Sequence, residues 1–386
     1  MLAALLPTTP AAAGWAIRVQ DSPPLWRAGE VLFVREERRR ALRTLPPEEL
    51  ARLCDAAVDR WPSFKAPTTF TRQRIDRLER FSWTVMRAAA DAFATGDPRA
   101  RQALVRLLDR WAKGRALTKL RGSPNRLWYA VHRALLPTIV AYWLVVADEP
   151  TVPLARRARI FGWIDDLVRR GFARQRGLDP RSDVARNNHA YLAASVYAAW
   201  GALTGDRELF GFALDTYRHA LAAMRPDGSL PLEVRRGARA LWYQRQALAS
   251  LAVIAEIAAV QGMPLWQGRE AGKDLHLGIR FLLDAVAEPE RVLRYARANV
   301  NPGPSWNWRV QDLGFLSRRP HGRHYMAWAE IYLARFPGRD ESRRLRALLT
   351  RGNADPRPMI DEFAGGNLSC LFAQPNSRPV SANNTR

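Results

Sequence analysis

Apolar residues recur at three- and four-residue spacing in one segment after another: Gln102 to Ala112, Ala134 to Ala147, Ala155 to Phe172, His189 to Leu203, Glu208 to Met224, Ala240 to Val260, His276 to Ala287 and Tyr325 to Arg335. That period marks helices with a buried face, whereas the strict alternation of half-buried strands is scarce. The pattern predicts an all-α protein. Breaks such as Gly205-Asp206, Pro226-Asp227-Gly228, Gly262-Met263-Pro264 and Pro337-Gly338 stop one helix and start the next within a short turn, so successive helices run antiparallel. Such hairpins form a bundle or curl into a ring, and this many Ala-, Leu- and Trp-rich segments favour a ring or solenoid over a four-helix bundle. No fixed period marks a named repeat. The expected organisation is a single domain over residues 21–366, irregular and Arg-rich before residue 50, then a polar, mobile tail over 367–386 containing Pro375 and Pro379.

Composition narrows the partners. The 386 residues are 47% hydrophobic, enough for a sizeable core, and 60 Lys plus Arg against 37 Asp plus Glu leave a formal charge of +23. Nucleic acid, an acidic membrane surface and an acidic polysaccharide all suit that charge. Lysine occurs only at 65, 113, 119 and 273, so the arginine excess can equally reflect genomic base composition and is permissive evidence. The longest apolar stretch, Ala134 to Ala147, is interrupted by Pro137 and is too short to span a bilayer. Cys54 and Cys370 exclude a disulfide-rich scaffold and a cysteine zinc site, and form one bridge or none. The first residues, MLAALLPTTPAAAG, carry a small-residue cleavage pattern without a basic n-region, so residues 1–20 read either as a remnant signal peptide or as ordinary chain.

The densest polar cluster is Arg186-Asn187-Asn188-His189, directly before the apolar run from Ala190. Asparagine caps helices, and a helix N-terminus with outward N–H groups is a natural carboxylate site. The alternative is that Asn187 or Asn188 only caps and His189 only packs. A second cluster runs from Leu230 to Tyr243. If helical from Ala238, it puts Arg239 and Tyr243 one turn apart, where a guanidinium favours the phenolate, the form that acts as a base. The alternative is an amphipathic tyrosine with a buried ring. Between Tyr295 and Pro320 an Asn-, Pro- and Trp-rich loop with Trp306 and Trp308 either offers stacking faces to a sugar or plugs a helix end.

Together the two clusters resemble the alginate lyases of the mannuronate-cleaving family, in which Asn-Asn-His, a small residue and Tyr open one helix and Leu-Pro-x-Glu-x-x-Arg and Ala-Leu-x-Tyr follow a hairpin later. Here these are Asn187-Asn188-His189-Ala190-Tyr191, Leu230-Pro231-Leu232-Glu233-Val234-Arg235-Arg236 and Ala240-Leu241-Trp242-Tyr243. The match is clear over Arg186 to about Gly262 and weaker elsewhere. It implies an α/α toroid, an incomplete ring of about five or six helical hairpins, and β-elimination at an acidic polysaccharide. Tyr243 would be base and acid, Asn188, His189 and Arg236 would neutralise the sugar carboxylate, and Arg239, Tyr191, Trp306 and Trp308 would line the substrate. Where the family has Tyr-His-Asn-Tyr this chain has Tyr243-Gln244-Arg245-Gln246, Leu192 replaces an aromatic, and the family's lid cation has only Lys65 or Arg72 as counterparts. The resemblance also implies a monomer in the periplasm or outside the cell. No cofactor is required: of the six histidines only His321 and His324 are close in sequence, neither has nearby carboxylates at helical ligand spacing, and no Gly-rich phosphate loop is present. Two rivals stay open. A helical-toroid glycoside hydrolase would use Glu233 with Asp227 or Asp312, and a non-catalytic polyanion-binding protein would use the charge alone.

Overall fold

A computed structural model describes residues 30–55, 69–299, 307–351 and 355–374. In chain order these form α1 (Glu36–Arg43), α2 (Pro47–Cys54), β1 (Thr69–Phe70), α3 (Ile75–Thr95), α4 (Pro98–Lys113), β2 (Lys119–Leu120), α5 (Pro124–Val145), α6 (Leu154–Arg176), α7 (Asn188–Thr204) and α8 (Arg207–Ala223). There follow α9 (Pro231–Val234), α10 (Ala240–Val260), α11 (Leu275–Ala287), α12 (Glu290–Ala296), α13 (Ala329–Arg335), α14 (Asp340–Leu349), β3 (Ile360–Asp361), β4 (Gly366–Asn367) and α15 (Leu368–Phe372).

Helix α3 packs on α5, α5 on α7, α7 on α10 and α10 on α13, and each of these is followed by a partner, α4, α6, α8, α11 and α14, laid against it or its neighbour. The result is an α/α toroid with an inner and an outer layer. The layers differ in sequence for a physical reason. Helices α7 and α10 are covered on all sides and are buried over almost their whole length, with apolar residues all round. Outer helix α4 buries only Ala100, Leu104, Val105, Leu107, Leu108, Asp109, Trp111 and Ala112 and turns most of its arginines outward.

Turn chemistry keeps the hairpins tight. Gly205 ends α7 in the left-handed region at φ 74°, and the Asp206 side chain then accepts the N–H groups of Glu208 and Leu209 to start α8. At Gly201 a Cβ would lie 2.7 Å from the Phe210 nitrogen, so only glycine lets these two helices approach so closely. Each inner helix is followed by an outer one before the next inner helix starts, so the inner helices begin at the same end of the ring. Pro137 is accommodated inside α5; it removes one backbone hydrogen bond but does not end the helix.

The ring closes through both chain ends. Helix α15 packs on α2, α3 and α13, β4 packs on α3 and α5, and a Cys54–Cys370 disulfide ties α2 to α15 across 316 residues of sequence. Buried Arg38 of α1 donates to the carbonyls of Ser369 and Cys370 at 3.1 and 2.7 Å. Two expectations are thereby corrected. The described part of the Arg-rich stretch, residues 30–50, holds α1 and the start of α2, and its arginines find carbonyl and carboxylate partners. The supposed tail begins as core: Asn367, Ser369 and Cys370 are buried, and only 375–386 lie outside the described residues. Among the described residues no helix is long and apolar enough to cross a membrane.

Candidate active site

The inner-helix N-termini converge on one mouth, where their positive dipole ends favour anions. At the start of α7, Asn187 is the cap and accepts the His189 N–H at 2.9 Å. Asn188 points elsewhere. Its main-chain N–H and its Nδ2 donate to the two Glu233 oxygens at 2.8 and 3.0 Å, its Oδ1 has no hydrogen-bond partner among the described residues, and the residue is 1% exposed. Glu233, on α9, is wholly buried, and that burial pushes its carboxyl up to about 7 although Arg236 and the Asn188 N–H groups pull the other way. The α9 turn is braced by Gln244, whose Nε2 donates to the Gly228 carbonyl at 3.1 Å and whose Oε1 accepts the Leu230 N–H at 2.9 Å. One departure from the family pattern thus has a structural task.

His189 stacks on Tyr129 of α5, with ring centroids 4.2 Å apart. Burial, reinforced by the nearby charges of Arg236 and Arg174, lowers the imidazole to about 4, so near neutrality it is an uncharged N–H donor. Gln246 donates to the Tyr129 hydroxyl, and burial pushes that phenol upward, away from any role as a base. The Arg236 guanidinium lies 4.2 Å from the Tyr243 ring centroid. Arg236 therefore touches the Tyr243 ring and is felt electrostatically by both His189 and Glu233. It is the hub of the site.

The cation expected beside Tyr243 was Arg239, and there the structure differs. Gly237–Arg239 form a 3-10 turn and α10 begins only at Ala240, so Arg239 is rotated off the Tyr243 face. It lies 5.7 Å from the Trp242 ring and 3.7 Å from Asp312. Tyr191 is buried and donates to the Arg186 carbonyl at 2.7 Å, which ties down the approach to α7 rather than opening toward a ligand. Trp308 is half-buried beneath Arg309, whose guanidinium is 4.6 Å from its ring. Trp306 and Lys65 lie outside the described residues, and Arg72 is exposed in the turn before α3. Of the carboxylates a hydrolase would need, Glu233 sits behind Asn188, Asp227 accepts from Tyr295 and Arg294, and Asp312 accepts the Gly314 N–H.

Sequence reasoning missed Tyr129, which is indistinguishable from a core aromatic within α5, and the buried ionic layer around Arg245. Arg245 is wholly buried among Trp242, Phe315, Tyr325 and Phe363, donates to the Tyr325 carbonyl at 3.3 Å and lies 3.9 Å from Asp361. Next to it Glu362 is held as a carboxylate by Arg133 and Arg323, while burial pushes Asp361 upward. The Tyr243-Gln244-Arg245-Gln246 run was the available signal, because each departure from the family pattern builds a different contact.

The helical toroid thus gathers an arginine, a neutral histidine and a tyrosine at the mouth formed by its inner-helix N-termini. Residues 59–292, more than half of the chain, match the family model described as Alginate lyase, and the chain belongs to that family. It is 31% identical over 198 residues to a polysaccharide lyase of Stenotrophomonas maltophilia (strain K279a), an alignment covering 51% of this chain and 58% of that protein. It is 28% identical over 241 residues to an alginate lyase of Pseudomonas syringae pv. syringae (strain B728a), covering 61% and 58% respectively. These alignments span less than two thirds of the relatives' length. Among solved structures, a histidine-to-alanine variant of alginate lyase A1-III complexed with tetrasaccharide superposes with a TM-score of 0.73 at 26% identity, covering 90% of this chain and 96% of the other.

Proposed function

We propose that this chain is a polysaccharide lyase that cleaves alginate by β-elimination and prefers mannuronate blocks. The observation that carries the reading is the Arg236 guanidinium 4.2 Å from the Tyr243 ring, in the electrostatic reach of His189. Family membership and the likeness to an alginate lyase solved with a tetrasaccharide support it.

Elimination needs a neutralised C5 carboxylate, a base for H5 and an acid for the leaving O4. Arg236 brings the positive charge and His189, uncharged, donates an N–H to the same carboxylate. Asn188, with its amide turned to Glu233, is a positioning residue that fixes the start of α7. Tyr243 does the proton work. Its oxygen takes H5, the C4–O4 bond breaks as the C4–C5 double bond forms, and the phenolic proton passes to O4, leaving an unsaturated uronate and a new chain end. In mannuronate H5 and O4 lie on one side of the ring, so a single phenol serves both. In guluronate they lie on opposite sides, and neutral His189 would be base with Tyr243 as acid. A periplasmic or extracellular location is part of this reading, and the Cys54–Cys370 bridge, which suits an oxidising compartment, supports it. The enzyme acts there as a monomer.

Separate incubations with mannuronate, guluronate and glucuronate polymers test this. The expected result is ultraviolet-absorbing unsaturated ends, fastest from polymannuronate. New reducing ends without unsaturation would make the protein a hydrolase, and three intact polymers would refute catalysis.

A further inference from the structure

The loop that the sequence singled out as irregular docks beside the site through Gln311. Its side chain donates to the Gly237 carbonyl at 3.0 Å and accepts the Leu241 N–H at 3.2 Å, and the Asp312 N–H reaches the Ala238 carbonyl at 2.7 Å. The residues after it come to lie against Trp242, the neighbour of Tyr243 on α10. The Arg319 guanidinium is 5.6 Å and the Arg239 guanidinium 5.7 Å from the Trp242 ring centroid, and the Tyr325 ring lies 5.2 Å away. The Tyr325 hydroxyl in turn meets His321 at 3.3 Å. Trp242, Arg239, Arg319 and Tyr325 are half-buried and His321 is exposed, so a ligand can reach them as they stand. From below, Trp242 is fixed by Phe315 at 6.0 Å and by the buried Arg245 at 5.7 Å. The core holds the indole rigidly between two guanidiniums: Arg319 donates to the Gly314 carbonyl at 3.0 Å and Arg239 lies 3.7 Å from Asp312, so among the described residues one weakly engaged carboxylate faces two positive charges.

We propose that Trp242, Arg239, Arg319 and the Tyr325–His321 pair form a second uronate-binding subsite next to the reacting sugar, in which the indole packs against a pyranose face and the two arginines hold its carboxylate. The mechanism assigns none of these groups a chemical task. Aromatic platforms carry sugar rings through their C–H faces, and guanidiniums recognise carboxylates by paired hydrogen bonds. A row of rings joins this place to the reacting centre, from His189 through Tyr129, Phe363 and Tyr325 to Trp242, with successive centroids 4.2, 6.1, 6.3 and 5.2 Å apart. A chain lying across the mouth thus meets a charged aromatic stop beside the phenol that cuts it. The subsite rests on the lyase reading for its ligand class and makes a separate claim about chain length.

Defined mannuronate oligomers of increasing length, given to the wild type and to Arg319→Gln and Arg239→Gln, decide it. Wild-type kcat/KM should rise once an oligomer is long enough to fill the subsite. In each variant that gain should shrink about ten-fold through KM, with kcat changed little, as expected for the loss of a charge-assisted hydrogen bond. An undiminished gain in both variants, or an equal loss of kcat at every length, overturns the proposal. If the wild type cleaves nothing, the lyase reading fails on its own, and calorimetric titration with a mannuronate pentamer judges the subsite. About ten-fold weaker binding by Arg319→Gln supports it, and unchanged or undetectable binding to the wild type overturns it.

Discussion

Replacing Glu233 by Gln should stabilise the protein at alkaline pH and leave it nearly unchanged in acid. The carboxyl is wholly buried and burial pushes it up to about 7 from the ordinary 4.5, a difference worth about 3 kcal/mol at about 1.4 kcal/mol per tenfold. Because folding raises this group's proton affinity, its contribution to stability is present in full below the ordinary value of 4.5 and is lost as the pH climbs through about 7. Glutamine carries no charge to bury. Its Oε1 can still accept the Asn188 N–H, and its amide can donate to the Asn188 Oδ1 once that side chain turns over, giving a partner to an oxygen that has none among the described residues. Urea unfolding of both proteins at about pH 5 and about pH 8 should show near equality at the lower pH and a Gln variant more stable by up to about 3 kcal/mol at the higher. A Gln variant that loses the same stability at both pH values would refute the reasoning, since Glu233 would then be worth more as an ion than its burial costs.

Further outcomes follow from the same contacts. Reducing the Cys54–Cys370 bridge opens a ring closed across 316 residues; loop entropy assigns such a closure about 6 kcal/mol at most, so urea midpoints should fall sharply in reductant, and an unmoved midpoint would contradict closure through α15. Arg245→Ala leaves Asp361 buried without its cation and should cost about 3–5 kcal/mol by thermal or urea unfolding, whereas wild-type stability would show that the pair is dispensable. Arg236→Gln removes the charge at the hub of the site and should lower kcat about 10²-fold or more, with Arg236→Lys recovering only part, because an ammonium cannot reproduce the planar fork over the ring. Steady-state kinetics on polymannuronate reads both.

The helices were legible where the apolar period was long. The expected Ala240 to Val260 segment coincides with α10, and α7, α8 and α11 match their expected segments closely. Helix α3 escaped notice although it lines the ring, because its N-terminal half interleaves charge with apolar residues, Asp76, Arg77, Glu79 and Arg80 around Leu78 and Phe81. The chain ends were misread since composition says nothing of the partners that Arg38 and Asn367 find. In the site, residue types were readable but orientation was not. A 3-10 turn three residues long decides whether Arg236 or Arg239 lies over Tyr243, and nothing in residue identity separates that turn from the first turn of an α-helix. That Asn188 serves Glu233 depends on a contact between residues 45 positions apart.

The most direct measurement compares wild type and Tyr243→Phe on a mannuronate oligomer in single turnover, following the absorbance of the unsaturated product while binding is measured in parallel. Loss of the proton-carrying hydroxyl should slow product formation by about 10²–10⁴-fold with binding little changed. A phenylalanine enzyme that turns over at the wild-type rate would contradict the assignment of Tyr243 as the group that moves the proton.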